Sequence, residues 1–422
     1  MAYDETTYRR QTDDQSDPSA YRANGVSAAD YRNRRRDLDP DDSGARVGEN
    51  SGELLRRAPA QVADDDWGRD RLGVHIGWEI VLLLAAAAIG YLLYRLDPAS
   101  MRRPALDTLL ISGAALGALT LGAGLTLRAG VPNLAVGPIA LAASLHFAEN
   151  GDRGLVDAGV PALVVAAAGG LVVGLLVILL HVPGWVASLG AGLGVIVYIQ
   201  LRSAPVAVQG AYDPSDQAFF LFGGFALLAV FGGALGTVTP IRRMLGRMRP
   251  VGDPARRRGA SAALPVLGSL VLSSVFAVVA GILLAAQSTT PIVPGTGLEW
   301  TGIALGAALL AGTSAYGRRG GVFGTLLAVA GLTLFLDYAE RRDLDIALFA
   351  VAAATLGAGL VVTRLVETYG RPLPVVPDDD WQATANAGTT TWSPDLPETW
   401  TPPASTENRS DRWDDGPWGA GR

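Results

Sequence analysis

Residues 128–144 read RAGVPNLAVGPIALAAS and lie inside a long apolar region of the chain. Two prolines, an asparagine and a glycine fall within seven of these residues, at Pro132, Asn133, Gly137 and Pro138. Proline lacks an amide hydrogen and clashes with the preceding helical turn, and glycine gives the backbone additional freedom. The stretch therefore predicts a helix that is interrupted inside an otherwise apolar segment.

The composition around this stretch is typical of a polytopic membrane protein. The chain has 422 residues, of which 49% are hydrophobic, and its mean hydropathy is +0.28. Charged residues are concentrated near the two ends and in a few short interruptions. The apolar stretches between them run for about 20 residues, which is enough to cross about 30 Å of hydrocarbon as a helix. We therefore predict an all-α membrane protein with about ten transmembrane helices.

The predicted spans share an apolar run that ends at charged, glycine-rich or proline-rich residues. They cover residues 72–94, 106–127, 133–148, 158–181, 184–201, 217–240, 262–286, 301–316, 321–338 and 345–365. An even number of spans places both termini on the same side of the membrane. Most arginines that flank the spans then lie on the side of the termini, and arginine is enriched in cytoplasmic flanks. Both termini are therefore expected in the cytoplasm.

Three regions differ in composition. Residues 1–70 mix arginine and aspartate with few aliphatic side chains, and residues 369–422 are acidic and rich in proline, threonine and tryptophan. Such segments bury too little apolar surface to offset the entropy lost on ordering. We predict two disordered cytoplasmic tails around a membrane domain at 71–368.

Several classes of chemistry are disfavoured. The chain has no cysteine and three histidines, which lie far apart, so we expect neither a metal site nor a cofactor. The apolar spans hold no nucleophile with a base, no phosphate-binding loop and no relay of acidic or histidine side chains. The chain is therefore predicted not to be an enzyme. We expect it to contact the lipid bilayer and not nucleic acid. Any energy for uphill transport is expected to come from another protein.

Three segments resemble the permease subunits of ATP-binding-cassette importers of the ribose and related sugar class. GVPNLAVGPIALAAS at 130–144 is similar to their G-x-x-[DN]-L-S-V-G segment. LHVPGWVASLGAGL at 180–193 is similar to L-x-[VI]-P-x-[FW]-[VI]-[AV]-[TS]-L-G. The long stretch 275–335 is similar to a segment that contains A-G-I-L-x-A-x-Q, P-x-x-G-x-G-x-E-L and G-G-T-S. The likeness covers about residues 105–365.

The resemblance implies a transport function with several partners. Permeases of this family lie in the bacterial plasma membrane as dimers, so a homodimer or a heterodimer with a paralogue is expected. Each copy binds a cytoplasmic ATP-binding subunit that hydrolyses ATP, and an extracellular solute-binding protein delivers a sugar or similar small polar solute. Transport proceeds by alternating access. The loop VGDPARRRGAS at 251–261 would contact the ATPase, with Arg256, Arg257, Arg258 and Gly259 as the expected coupling residues.

The resemblance also implies an internal inverted repeat, with halves near 106–201 and 262–365. Interrupted helices at matching places in two such halves indicate a transport pathway. The expected helix breaks are at Pro132, Gly137 and Pro138 in the first half and at Gly312, Gly317, Gly320 and Gly321 in the second.

Polar side chains near these breaks are candidate solute contacts: Asn133, Ser188, Thr313 and Ser314. Each also has a structural interpretation, because serine and threonine in spans often bond the carbonyl four residues earlier. Asn133 is either a solute contact or the cap of a short helix, and we favour the cap.

The sequence departs from the family pattern at several places. Ala135 replaces the usual serine, Ala311 replaces a glycine, and two arginines stand at 318–319 in a glycine-rich motif. Two alternatives therefore stay open. One is a branched-chain amino acid or nucleoside permease of the same architecture, and the other is a membrane scaffold that transports nothing.

Overall fold

A computed structural model describes residues 72–238, 259–315 and 321–370. The helices in these ranges are α1 Leu72–Leu96, α2 Ala105–Arg128, α3 Val136–Asn150, α4 Leu155–Leu179, α5 Gly184–Gln200, α6 Ala218–Thr237, α7 Gly259–Gln287, α8 Leu298–Leu310, α9 Gly324–Arg341 and α10 Leu348–Gly370. Single turns of 3₁₀-helix lie at Pro98–Met101, Gly151–Arg153 and Ser215–Gln217. The only β-type pairing within the described ranges is an antiparallel bridge between Val206 and Ile292. The fold is all-helical.

Each predicted span overlaps one of these helices, with ends that differ by up to six residues. Within the described part, six helices are long and apolar enough to cross a membrane: α1, α2, α4, α6, α7 and α10. The apolar helices α5 and α8 are shorter. The last helix continues to Gly370, two residues past the predicted boundary at 368. The predicted tails fall on residues outside the described ranges, apart from this helix end.

Two long helices, α2 and α7, form the centre of the bundle. In each, 61% of the membrane-length window is buried, against 22% in α1, α4 and α6. They run antiparallel, because Ser112 hydrogen-bonds Gln287 near one end and Gly122 lies against Ser273 further along. A Cβ at Gly122 would lie 3.2 Å from Cα of Ser273, so the small residue permits close packing.

Each of the short helices α3 and α8 packs on the long helix that precedes the other short helix in the chain. Helix α3 follows α2 in the chain but packs mainly on α7, where Gly281 faces Ala140 and Ala143. Helix α8 follows α7 but packs on α2 and α10. The two short helices also contact each other. Each short helix is therefore held by the long helix of the other part of the chain.

Helix α1 lies at the edge of the bundle and packs on α9. The Trp78 indole donates a hydrogen bond of 2.7 Å to the Leu310 carbonyl at the end of α8. The Glu79 carboxylate accepts hydrogen bonds from the amides of Phe323 (2.6 Å) and Gly324 (3.1 Å), where α9 begins. Helix N-termini favour negative charge because their first amides lack helical partners. The acidic residue in the first span therefore caps a helix.

Replacing Glu79 by alanine is expected to destabilise the bundle by about 1 to 2 kcal/mol, because two amides lose their acceptor and the helix end loses a charge. The apparent melting temperature of the purified protein in detergent measures this. Glu340→Ala is the matched control, since Glu340 is exposed in the last turn of α9. Equal melting temperatures for Glu79→Ala and the control would contradict the capping role.

Candidate functional site

The first break in the bundle comprises residues 129–135, between α2 and α3. Helix α2 ends in a Schellman motif: the amide of Gly130 bonds the Leu127 carbonyl and the amide of Val131 bonds the Thr126 carbonyl, both at 3.0 Å. Gly130 has φ of +73°, which glycine adopts without a steric penalty. The interruption expected from RAGVPN is therefore present, and its first signal is Gly130.

The backbone of the first break bonds side chains rather than neighbouring turns. The Asn133 amide donates to Thr126 Oγ1 at 3.3 Å, and the Leu134 amide donates to Ser188 Oγ at 3.1 Å. Ser188 Oγ donates in turn to the Pro132 carbonyl at 2.9 Å. Backbone groups in an apolar environment need such partners, because hydrocarbon supplies none.

Thr301, which is distant in sequence, hydrogen-bonds backbone groups at the first break. It lies in the first turn of α8, where its hydroxyl donates to the Leu134 carbonyl at 3.1 Å and accepts from the Gly137 amide at 3.0 Å. The hydroxyl is therefore shared between the break and the first turn of α3. Sequence reasoning did not single out Thr301, because nothing local marks it.

The cap of α3 is Ala135 rather than Asn133. The Asn133 side chain instead makes a local turn, since its Oδ1 accepts from the Ala135 amide at 3.0 Å. Its Nδ2 donates to Ser273 Oγ at 3.2 Å, and the residue is 2% exposed. The predicted cap is therefore wrong: Asn133 stabilises the residues just before the helix, and the cap lies two residues later, at Ala135.

Gly137 and Pro138 belong to the first turn of α3 and do not interrupt it. Proline is tolerated there because first-turn amides have no helical partner. Gly137 is needed for a close approach: a Cβ would collide with the Gly297 carbonyl and lie 2.7 Å from Thr301 Oγ1. Helices α3 and α8 therefore meet at their N-termini, backbone against backbone.

A second break comprises residues 288–297, between α7 and α8. It was not among the expected breaks, although PIVPGTG at 291–297 holds two prolines and two glycines. Gly297 has φ of +72° and directly precedes α8. The second break directly follows the long helix α7, as the first break directly follows the long helix α2. The density of proline and glycine could have revealed it.

The remaining expected break residues lie elsewhere. Gly312 ends α8 with φ of +87°, and the amide of the next residue, Thr313, bonds the Ala308 carbonyl. Gly321 lies beside the Glu79 carboxylate. Gly317 and Gly320 lie outside the described residues, as do the coupling residues Arg256, Arg257 and Arg258, whereas Gly259 is the first residue of α7.

The four candidate solute contacts form two groups. Asn133 and Ser188 meet at the first break, where both are buried and hydrogen-bonded to its backbone. Thr313 and Ser314 are buried after the end of α8, and the Thr313 carbonyl accepts a hydrogen bond from Thr363 in α10. Thr301 and Ser273 join the first group. The polar side chains at the first break are therefore engaged with the protein itself.

Two ionisable groups near the centre, Asp107 and Arg128, have local contacts. Asp107 lies 3.5 Å from the Arg103 guanidinium, and Arg128 donates to the Gly232 carbonyl at 3.3 Å. Glu299 lies in the first turn of α8, where a negative charge is favourable. Within the described ranges, no three histidine or acidic side chains come together as a metal site would require.

Comparisons of this chain with family models, curated proteins and solved structures found no match.

Thr301→Val is expected to destabilise the protein by about 2 to 4 kcal/mol, because two buried backbone groups lose their partner. Thr301→Ser keeps the hydroxyl and should cost less than about 1 kcal/mol. The measurement is the apparent melting temperature in detergent.

Thr333→Val is the control for these variants, since the Thr333 hydroxyl bonds only a carbonyl of its own helix, that of Val329. If Thr301→Val and Thr333→Val lower the melting temperature equally, the bridging role of Thr301 is wrong.

Proposed function

We propose that this chain is the permease subunit of an ATP-binding-cassette importer, which moves a sugar or similar small polar solute across the plasma membrane. The observation that carries the proposal is the meeting of two short helices, α3 and α8, at their N-termini. Each follows a break and each packs on the other's long helix. Interrupted helices that meet between two structural repeats are the architecture of many transporters.

The exchanged packing supports an internal inverted repeat. Helices α2 and α3 and helices α7 and α8 have the same order: a long buried helix, a break and a short helix. Because α2 and α7 run antiparallel, the two sets have opposite directions. In this proposal each short helix completes one crossing together with its break, for ten crossings in all, and the arginine bias of the flanks favours cytoplasmic termini.

The source of energy in this proposal is a separate ATPase. Glu79, Asp107 and Arg128 are three of the ionisable side chains of α1 and α2, and each is engaged in a local contact. Buried ionisable groups are the usual machinery of proton or ion coupling. An ATPase that binds the cytoplasmic loop between α6 and α7 would drive the two repeats instead.

The absence of cysteine allows the crossing number to be tested by single-cysteine labelling in cells. Asp253→Cys lies between α6 and α7, and Asp345→Cys lies between α9 and α10. Three crossings separate them if α8 and the second break form one. An impermeant maleimide should then label Asp345→Cys in intact cells and Asp253→Cys only after permeabilisation. Labelling of both from the same side would contradict the crossing by α8, and reversed labelling would contradict the orientation.

The partner is tested by co-purification with the ATPase encoded beside this chain, which should carry G-x-x-x-x-G-K-[ST]. Replacing Arg256, Arg257 and Arg258 together by alanine should abolish co-purification, because the loop loses its charge, while membrane insertion stays unchanged. The matched control replaces Arg34, Arg35 and Arg36, a second run of three arginines in the N-terminal tail. Undiminished association of the loop variant would contradict the coupling-loop assignment.

A further inference from the structure

A long groove lies between α4 and α5, with α3 and α7 behind it. Its volume is about 960 Å³. Along α4 the lining runs from Pro161 to Leu176, a rise of about 22 Å at 1.5 Å per residue. This length is most of the roughly 30 Å of hydrocarbon in a bilayer. The groove has the shape of an extended chain rather than of a compact solute.

The lining is almost entirely aliphatic. Its polar side chains are Asn133, Ser274, His146 and Tyr198. Asn133 bonds the first break, and Ser274 donates to the Leu270 carbonyl at 2.9 Å, so the middle of the groove offers few hydrogen-bond partners. A polar solute would lose water there without replacement, which is costly. The chemistry of the lining therefore favours hydrocarbon.

The glycines of α4 and α5 show that the space is built into the helices. Gly170 on α4 packs against α7, where a Cβ would lie 2.7 Å from the Leu270 carbonyl. In contrast, Gly169 on α4 and Gly190 and Gly194 on α5 would carry a Cβ into open space, with no atom within 4 Å. Small residues in membrane helices usually allow close packing. Gly169, Gly190 and Gly194 instead leave space in the groove.

The groove is open to the surroundings of the bundle along its side. Val165 and Val172, which line it, are 72% and 55% exposed. In a membrane, these side chains meet lipid, so a lipid chain reaches the groove without crossing a polar region.

Polar groups are concentrated at the end of the groove near the loop 201–217. The Arg202 guanidinium pairs with the Glu149 carboxylate, at 2.7 Å for one of its two hydrogen bonds. It lies 4.7 Å from the centre of the Tyr198 ring and donates to the Tyr198 hydroxyl at 3.1 Å. The hydrogen bond that Arg202 donates to the Glu149 carboxylate raises the pKa of Arg202, so the guanidinium stays charged. The His146 ring lines this end and interacts electrostatically with the Glu149 carboxylate.

We propose that the groove binds the hydrocarbon chains of a bilayer phospholipid, which enters from the side with its phosphate beside His146 and Tyr198. An imidazole N–H and a phenol O–H are donors that a phosphate oxygen accepts. The chains fill the aliphatic part and displace no bound polar partner. The site adjoins the first break, since Asn133 lines it, and the lipid proposal does not rest on the transport proposal.

The test uses the full chain in nanodiscs of phosphatidylethanolamine and phosphatidylglycerol, with a phosphatidylglycerol probe that carries a photoreactive group in its acyl chain. Mass spectrometry locates the labelled peptides. Gly190→Leu with Gly194→Leu fills the groove and should lower labelling of α4 and α5 about tenfold. His146→Ala should lower it about threefold through the lost headgroup contact.

Gly223→Leu with Gly224→Leu is the matched control. Both lie on α6 with open space at the Cβ position and away from the groove, so labelling of α4 and α5 should not change. Unchanged labelling in the groove-filling variant would overturn the proposal.

A single cysteine introduced by Gly194→Cys tests whether the groove is occupied, without filling it with a larger side chain. The bound probe should protect Gly194→Cys from a membrane-soluble maleimide. If mild oxidation instead forms a disulfide between two copies through this cysteine, the groove is occupied by a second copy of the chain, and the lipid proposal is wrong.

Discussion

Backbone amides and carbonyls outside helices need hydrogen-bond partners from within the chain, because hydrocarbon offers none. The first break, residues 129–135, is where this constraint is strongest. Three hydroxyls meet it, from Thr126 in α2, Ser188 in α5 and Thr301 in α8. These helices are distant in sequence, so the break is a junction that holds parts of the bundle together. A hydroxyl at each of these positions is therefore a structural requirement before it can be a contact for a solute.

The positions of the helices could be predicted from the sequence because the length of an apolar run determines whether a helix can cross a membrane. The first break was predictable too, since Pro132 and its neighbouring glycines disfavour a continuous helix. The second break was not predicted because PIVPGTG falls between the predicted spans 262–286 and 301–316, where a loop is expected. The structure instead starts α8 at Leu298, three residues before the predicted span at 301, and brings Gly297 against Gly137.

The roles of individual polar side chains could not be predicted, because they depend on contacts between distant residues. Thr301 bonds the carbonyl of Leu134, 167 residues earlier in the chain. No local pattern distinguishes this threonine from Thr333, which bonds its own helix. Asn133 shows the converse case: the residue type and position favoured a helix cap, but the cap is Ala135, and the Asn133 side chain accepts a hydrogen bond from the Ala135 amide.

The same constraint explains why the groove between α4 and α5 stays open. Helix α4 is held against α7 by Gly170 and Gly174, whose missing side chains allow backbone contact. Helix α5 is held to the first break by Ser188, and moving it away would leave the Leu134 amide and the Pro132 carbonyl without partners. Each buried group left unpaired costs about 1 to 3 kcal/mol. Along the groove, neither wall can approach the other without losing its own anchor, which supports the proposal that lipid chains occupy the space between them.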